Sequence, residues 1–233
     1  MKIRLLAAFA FLTRVPIRRP FTIEDVGRAA IFFPLVGASI GAAQLGLWRL
    51  LDTTLPPLAL AVLVVSFSAW ASRGLHLDGL ADFVDGLGGG RTRVDVLRIM
   101  RDSCIGAFGA IALVLVLFTK VAALEALVVW QALVLAPVFS RWSVVLLGFV
   151  LPYARETAAP SSHFGKRELL GATAMLAAAC FLAPRLAATM GASVLVVSLV
   201  VGATARRRIG GVTGDVMGAN LELAEAAALL VAV

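Results

Sequence analysis

Asp78, Asp82, Asp85, Asp95 and Asp102 crowd one stretch, Gly74 to Phe108, between strongly apolar segments. The first three fall at i, i+4 and i+7, which on an α-helix puts them on one face within an arc of about 60°. Three carboxylates on one face with no interleaved base repel one another unless a cation lies against them. Leu77, Leu80, Ala81 and Val84 make the rest of that helix apolar, so the acids are not a generic solvated surface. The alternative is a short amphipathic helix at a membrane surface with its acids in water.

The run Gly86-Leu87-Gly88-Gly89-Gly90-Arg91 follows. Gly88 and Gly89 leave backbone N–H groups unobstructed and permit positive φ, which suits close approach to phosphate oxygens; a plain flexible turn is the other reading. Arg91 and Arg93, then Arg98 and Arg101, favour the phosphate reading. Asp102 lies four residues beyond Arg98, so it is either a ligand or half of an ion pair. Clustered aspartate with glycine and arginine, and no Cys/His set, favours a hard, oxygen-seeking ion: Mg²⁺ shared between a few carboxylates and substrate phosphates. Such a site suits displacement at phosphorus. An aspartate or His76 could take the proton of an attacking hydroxyl. His76 lies about 160° from the Asp78 face of the same helix, so a structural hydrogen bond is its more ordinary role. A second glycine-rich loop with an acid, Gly210-Gly211-Val212-Thr213-Gly214-Asp215, follows the basic run Arg206-Arg207-Arg208.

The chain that must position these residues has 233 residues, 61% hydrophobic and 15% charged, with mean hydropathy +0.96. A soluble domain runs nearer 45–50% apolar and about 25% charged, so this is a single integral membrane domain, residues 1–233, with no polar block long enough to be a second. The net charge of +7 does not point to nucleic acid, because the basic residues cluster at the ends of apolar segments. Cys104 and Cys180 have no metal-ligand spacing.

The expected fold is an all-α polytopic membrane protein. It has about six to eight transmembrane helices, an N-terminal interfacial helix and an Asp-rich helix on the cytoplasmic face. Leu5 to Leu12 is too short to span, and Thr13-Arg14-Val15-Pro16 is not a small-residue cleavage site. Thr22 is placed as an N-cap before Glu24 and Asp25. Spans are expected near 29–48, 58–72, 106–124, 169–186 and 191–205, with a last apolar run to Val233. Residues 126–151 hold Pro137 and Arg141, so that segment is tilted, broken or double. Arg141 should face an acid or a polar cavity. Gly37 and Gly41 form a small-xxx-small pair for close helix packing. If 126–151 crosses once, most of the basic residues fall on one side, the cytoplasm. Both glycine-rich acidic loops, within 74–109 and 206–225, then share that face as one composite site.

His76-Leu77-Asp78-Gly79-Leu80-Ala81-Asp82 with Asp85-Gly86, Arg98-Ile99-Met100-Arg101-Asp102-Ser103 and Ile105-Gly106-Ala107-Phe108-Gly109 resemble the signature of the cobalamin synthase family. Phe11 to Pro16, Phe33 to Gly37, and Gly210 to Asp215 with Gly218-Ala219 and Glu222 extend the likeness over nearly the whole chain. Three features depart from the pattern: Phe83 where a small polar residue is usual, Cys104 where a polar or basic one is, and the 155–165 loop, which lacks the expected glycine-rich segment and has Ala158-Ala159-Pro160-Ser161-Ser162 instead.

The resemblance implies a multi-pass bacterial inner-membrane enzyme needing Mg²⁺. It would join adenosylcobinamide-GDP to α-ribazole or its 5′-phosphate and release GMP. Carried to this chain, it implies Asp78, Asp82 and Asp85 as metal ligands with Asp102 as a fourth acid, and Arg91, Arg98 and Arg101 at phosphates. Ser103 and Gly211 fall in its substrate-binding motifs, and Thr213 and Asp215 would complete the site or hold a ribose or base. Membrane lipid is an expected partner; a homo-oligomer or a complex with other corrinoid-pathway enzymes stays open. The rivals are a membrane prenyltransferase, which Asp82-x-x-Asp85 alone would suit, a CDP-alcohol phosphotransferase, whose Asp-Gly-x-x-Ala-Arg pattern is missing, and a small-solute transporter, which would need acids at mid-membrane depth.

Overall fold

The computed structural model describes residues 1–233 and is all-helical. In chain order the helices are α1 (Lys2–Leu12), α2 (Ile23–Arg28), α3 (Phe33–Leu51), α4 (Pro57–Ala71), α5 (Leu75–Gly89), α6 (Arg93–Ile99), α7 (Ala107–Glu125), α8 (Gln131–Val150), α9 (Lys166–Cys180), α10 (Pro184–Ile209) and α11 (Gly214–Leu230). Short 3₁₀ turns at Ala29–Phe32 and Pro160–His163 complete it. Thr22 caps α2 in a reciprocal box with Asp25, as its sequence position predicts.

Four segments are long and apolar enough to cross a membrane: Ile23–Leu51, α7, α8 and α10. A fifth results if α4 and α5, which meet at 89°, count as one bent span. The expected six to eight is therefore too many. The span expected at residues 169–186 is too short to cross: α9 has 15 residues, about 22 Å of helix against a hydrocarbon core of about 30 Å. The last apolar run is α11, 17 residues carrying Asp215, Glu222 and Glu225. The 126–151 segment resolves into a turn and the single helix α8, with Pro137 inside it.

Helices α8 and α11 form the axis. Each contributes side chains to all three buried clusters, around which the other helices pack. The outer faces of α7 and α10 carry exposed Ile111, Val114, Leu115 and Phe118, and Leu195, Val196, Leu199 and Val200. Apolar surface of that extent is what lipid would cover. The Gly37–Gly41 pair works as expected. A Cβ at Gly37 would stand 2.2 Å from the Pro137 carbonyl oxygen, and one at Gly41 2.5 Å from that of Leu133, so α3 lies directly on the α8 backbone.

Arg141 finds the acid its position demands. Within the α7–α8–α11 core, Lys120 Nζ donates to Glu222 Oε2 (2.6 Å) and Glu225 Oε1 (3.0 Å). Arg141 Nη1 pairs with Glu225 Oε2, to which Ser140 Oγ also donates at 3.1 Å. Two cations and two anions thus neutralise one another where water is scarce, which makes burying all four tolerable.

Candidate functional site

The α4–α5 elbow sets the site. Arg73 and Gly74 both take left-handed backbone conformations (φ 60° and 69°), an uncommon state for a non-glycine residue. The Arg73 guanidinium holds it by donating to the carbonyls of Ala10 (3.1 Å) and Phe11 (3.0 Å) at the end of α1. Arg14 braces the other side: its Nε donates to the Trp70 carbonyl at 2.9 Å and its guanidinium sits 4.8 Å over the Trp70 ring. The N-terminal helix is therefore a clamp on this elbow.

Beyond the elbow, the three acids of α5 separate in environment. Asp78 is exposed and Asp82 half-buried. Both face one open cleft of about 580 Å³ that Arg73, Ser103 and Ile105 also line. Asp85 is buried. Its Oδ2 accepts from Gly106 N–H and its Oδ1 from Gly109 N–H, both at 2.8 Å. It caps α7, binding the donors a helix start leaves free. A Cβ at Gly106 or Gly109 would lie 2.4 or 2.3 Å from its carboxylate oxygens, so these two glycines of the Ile105–Gly109 motif make room for Asp85. Of the three acids expected together on one helix face, two face the cleft and one is tied to the neighbouring helix.

Asp102 lies beyond the end of α6 on an exposed turn, where its Oδ1 accepts from Cys104 N–H at 3.0 Å. Arg98 approaches Asp95 instead, at 4.0 Å, and not Asp102. Hydrogen bonds from the Thr92 hydroxyl and backbone N–H hold the Asp95 carboxyl below the usual carboxylate range. Arg91 and Arg101 are exposed. No group of three or more His, Cys, Asp or Glu side chains is gathered closely enough to cage a metal.

The glycine run is helical rather than an open loop. Helix α5 continues through Gly89. A Cβ at Gly88 would stand 2.5 Å from the Phe108 ring, and one at Gly90 2.7 Å from the Val96 nitrogen; Gly89 meets only Ile99, at 3.1 Å. The run lets α6 and the start of α7 fold against α5. Two arginines then bind helix ends: Arg208 Nη2 donates to Gly90 O (2.6 Å) and Leu87 O (3.2 Å), and Arg93 donates to Ile209 O and Ala154 O, both at 2.8 Å.

The second loop does join the first. Gly210 closes α10 in the left-handed region (φ 83°). Residues 212 and 153 pair as a short parallel bridge, and Gly211 lies against the Pro152 carbonyl, 2.1 Å from where a Cβ would be. Gly211 is thus a packing residue. Thr213 is fully buried and caps α11, its Oγ1 accepting from Val216 N–H at 3.3 Å. Asp215, in the first turn, accepts from Arg155 Nη2 at 2.7 Å and from Thr213 Oγ1 at 3.3 Å. Burial pushes the Asp215 carboxyl up and the Arg155 guanidinium opposes it. A Cβ at Gly79 would stand 2.9 Å from Asp215 Cα, so only glycine lets α5 lie on the start of α11. Asp82 consequently lies within electrostatic reach of Asp78, Asp215, Asp85 and Arg155.

His76 is buried on the far side of α5, its Nδ1 without a partner. With Asp78, Asp215, Gly214, Ser161 and a set of aromatic side chains it lines a second, largely apolar cavity of about 150 Å³. Sequence reasoning missed Arg73 and Arg155. Arg73 is the residue just before the acidic stretch, but nothing local marks it as left-handed; Arg155 stands sixty residues from its partner.

These features define a polytopic membrane protein. Its cleft acids on α5 lie beside an Asp215–Arg155 pair that comes from loops far apart in sequence. The cobalamin-5-phosphate synthase family model matches residues 4–233. A Syntrophobacter fumaroxidans protein named adenosylcobinamide-GDP ribazoletransferase is 39% identical, covering 94% of this chain and 93% of its own. Proteins of the same name from Pseudomonas paraeruginosa (42%; 97% and 96%) and Clostridium botulinum (33%; 95% and 93%) are similar over comparable lengths. No solved structure matches. The chain belongs to the cobalamin-5-phosphate synthase family, transferases of cobalamin synthesis.

Proposed function

We propose that this protein transfers the adenosylcobinamide-phosphate moiety of adenosylcobinamide-GDP to α-ribazole or its 5′-phosphate, giving adenosylcobalamin or its 5′-phosphate and GMP. The observation that carries the reading is the close approach at Gly79, which sets the α5 acids within electrostatic reach of the Asp215–Arg155 pair. The two motifs on which the family resemblance rests lie against each other, and Asp78, Gly214 and Asp215 border one cavity.

The donor set suits Mg²⁺ of one kind only. Two cleft-facing carboxylates, Asp78 and Asp82, with the nearby Ser103 hydroxyl, fit an ion that keeps water and takes its other ligands from substrate phosphates. They do not fit an all-protein cage. Magnesium bound there would neutralise charge on the diphosphate oxygens. Around it, Asp78 and Asp82 bind and orient, and Arg73 and Arg155 place positive charge at the cleft edge. Asp85 fixes the start of α7 so that Ser103 and Ile105 close the cleft. Exposed Arg91, Arg98 and Arg101 are left to meet the outer parts of a large anionic donor. Asp78, which borders both the open cleft and the apolar cavity, is the best-placed acceptor for the attacking hydroxyl's proton.

We infer that the protein sits in the bacterial inner membrane with this site on the cytoplasmic face. Arg93, Arg155 and Arg208 come from three basic segments and all meet around the site, the face that the positive-inside rule assigns to the cytoplasm. The test is incubation of purified protein with adenosylcobinamide-GDP and α-ribazole, with Mg²⁺ or with chelator. Equal, Mg²⁺-dependent formation of corrinoid product and GMP is expected. Folded protein that releases no GMP would defeat the reading.

A further inference from the structure

The cavity beside the acids has a composition of its own. Phe11 and Phe33 stack with centroids 6.1 Å apart, and Phe164 meets Phe33 edge-on at 5.9 Å, so one wall is aromatic. Two residues of the lining, His76 and Ser161, each carry a buried polar atom, Nδ1 and Oγ, that lacks any hydrogen-bond partner, and both residues are only 5% exposed. Buried polar atoms are nearly always paired, because leaving them unmet costs free energy. Two in one cavity mark groups that a guest satisfies. Gly214 borders the same space, and a Cβ there would meet nothing within 4 Å.

We propose that this cavity seats the planar bicyclic base of the acceptor, the benzimidazole of a ribazole. Ser161 Oγ–H donates to the free ring nitrogen and His76 Nδ1 meets the ring edge. The inference rests on the ribazoletransferase reading. A dry cavity of this size accepts a benzene-sized guest, and its opening towards Asp78 and Gly214 leaves room for the second ring and the sugar. Aromatic walls favour a flat, mostly apolar ring system. A guanine, with several donors and acceptors along its edge, would leave most of them unpaired here. The cavity therefore also keeps the donor's own base in the open cleft. With the acceptor base on one side of Asp78 and the diphosphate on the other, the ribose hydroxyl is delivered to the residue the two spaces share.

Gly214→Leu and Ser161→Ala test this by steady-state kinetics against each substrate. Gly214→Leu should raise the acceptor KM roughly tenfold or more, the scale on which filling or emptying an apolar pocket discriminates ligands, and leave the donor KM unchanged. Ser161→Ala should raise the acceptor KM without lowering Tm, since it deletes an unpaired atom; a purely structural serine would do the reverse. Free dimethylbenzimidazole should compete with the acceptor and not with the donor. An unmoved acceptor KM in both variants, or competition against the donor, overturns the assignment. Should Gly214→Leu not fold, Ser161→Ala and the inhibition pattern of the unaltered enzyme decide alone. If the unaltered enzyme turns over no acceptor, the transferase reading has failed, and equilibrium dialysis with labelled dimethylbenzimidazole then judges the cavity by itself. Binding that Ser161→Ala weakens retains it; no binding rejects it.

Discussion

Asp82 and Asp85 differ by one helical turn and by everything that surrounds them. Asp82 looks into the cleft, whereas Asp85 spends both oxygens on α7 backbone N–H groups. Asp82→Asn should leave Tm in place and cut kcat by about two to three orders of magnitude, the usual cost of losing a group that handles phosphoryl charge. Full turnover by a correctly inserted Asp82→Asn protein would remove its metal role. Asp85→Asn should instead destabilise by about 1–3 kcal/mol, because its amide NH₂ would face a buried N–H. The Mg²⁺ concentration for half-maximal activity should move in the first variant and not in the second. Arg155 makes a third case. Its guanidinium counters the burial that pushes the Asp215 carboxyl up, so Arg155→Ala lets that carboxyl rise further. The acid limb of the pH–rate profile should then shift to higher pH. Tm of the variant should also fall behind the unaltered protein increasingly as pH rises, because the native state holds its proton more tightly than the unfolded chain does. A pH-independent Tm gap would show that Arg155 acts only through packing.

At the scale of elements, glycines decide which helices touch. Gly37 lies on the α8 backbone, while Gly46, in the same α3, has no atom within 4 Å of a Cβ. Gly37→Val should force the helices apart and lower detergent Tm, an overpacking loss of about 1–3 kcal/mol or more. Gly46→Ala should be neutral or stabilising by up to about 1 kcal/mol through helix propensity. Equal effects at the two positions would mean that close approach is not what Gly37 provides. The run Gly86–Gly90 teaches the same lesson from the other side: composition suggested a phosphate loop, but the residues facing those glycines are Val96, Ile99, Met100 and Phe108.

Across the whole molecule, the Lys120–Glu222–Glu225–Arg141 network ties α7, α8 and α11 together at the centre. Neutralising one member strands another. Glu225→Gln should cost about 3–5 kcal/mol and show as poor yield and a lower Tm, with acceptor and donor KM near normal in whatever protein folds. A stable Glu225→Gln protein with altered substrate KM values would instead assign the network to the site. Pairing four charges rather than excluding them also commits α11 to the core. That fixes its first turn, with Asp215, beside α5.

Hydropathy, the i, i+4, i+7 acids, the capping box at Thr22 and the small-xxx-small pair were all readable from the chain. Each is a periodic or nearest-neighbour property that local chemistry enforces. So was the need of Arg141 for an acid, because a charge in apolar surroundings has few options. Which acid it takes, which aspartates reach the cleft and which caps a helix, and how many apolar segments cross the membrane depend on the 89° elbow and on contacts between residues far apart in the chain. Those are set by how α5 and α11 lie against each other, a matter of backbone approach at Gly79 that no local pattern encodes.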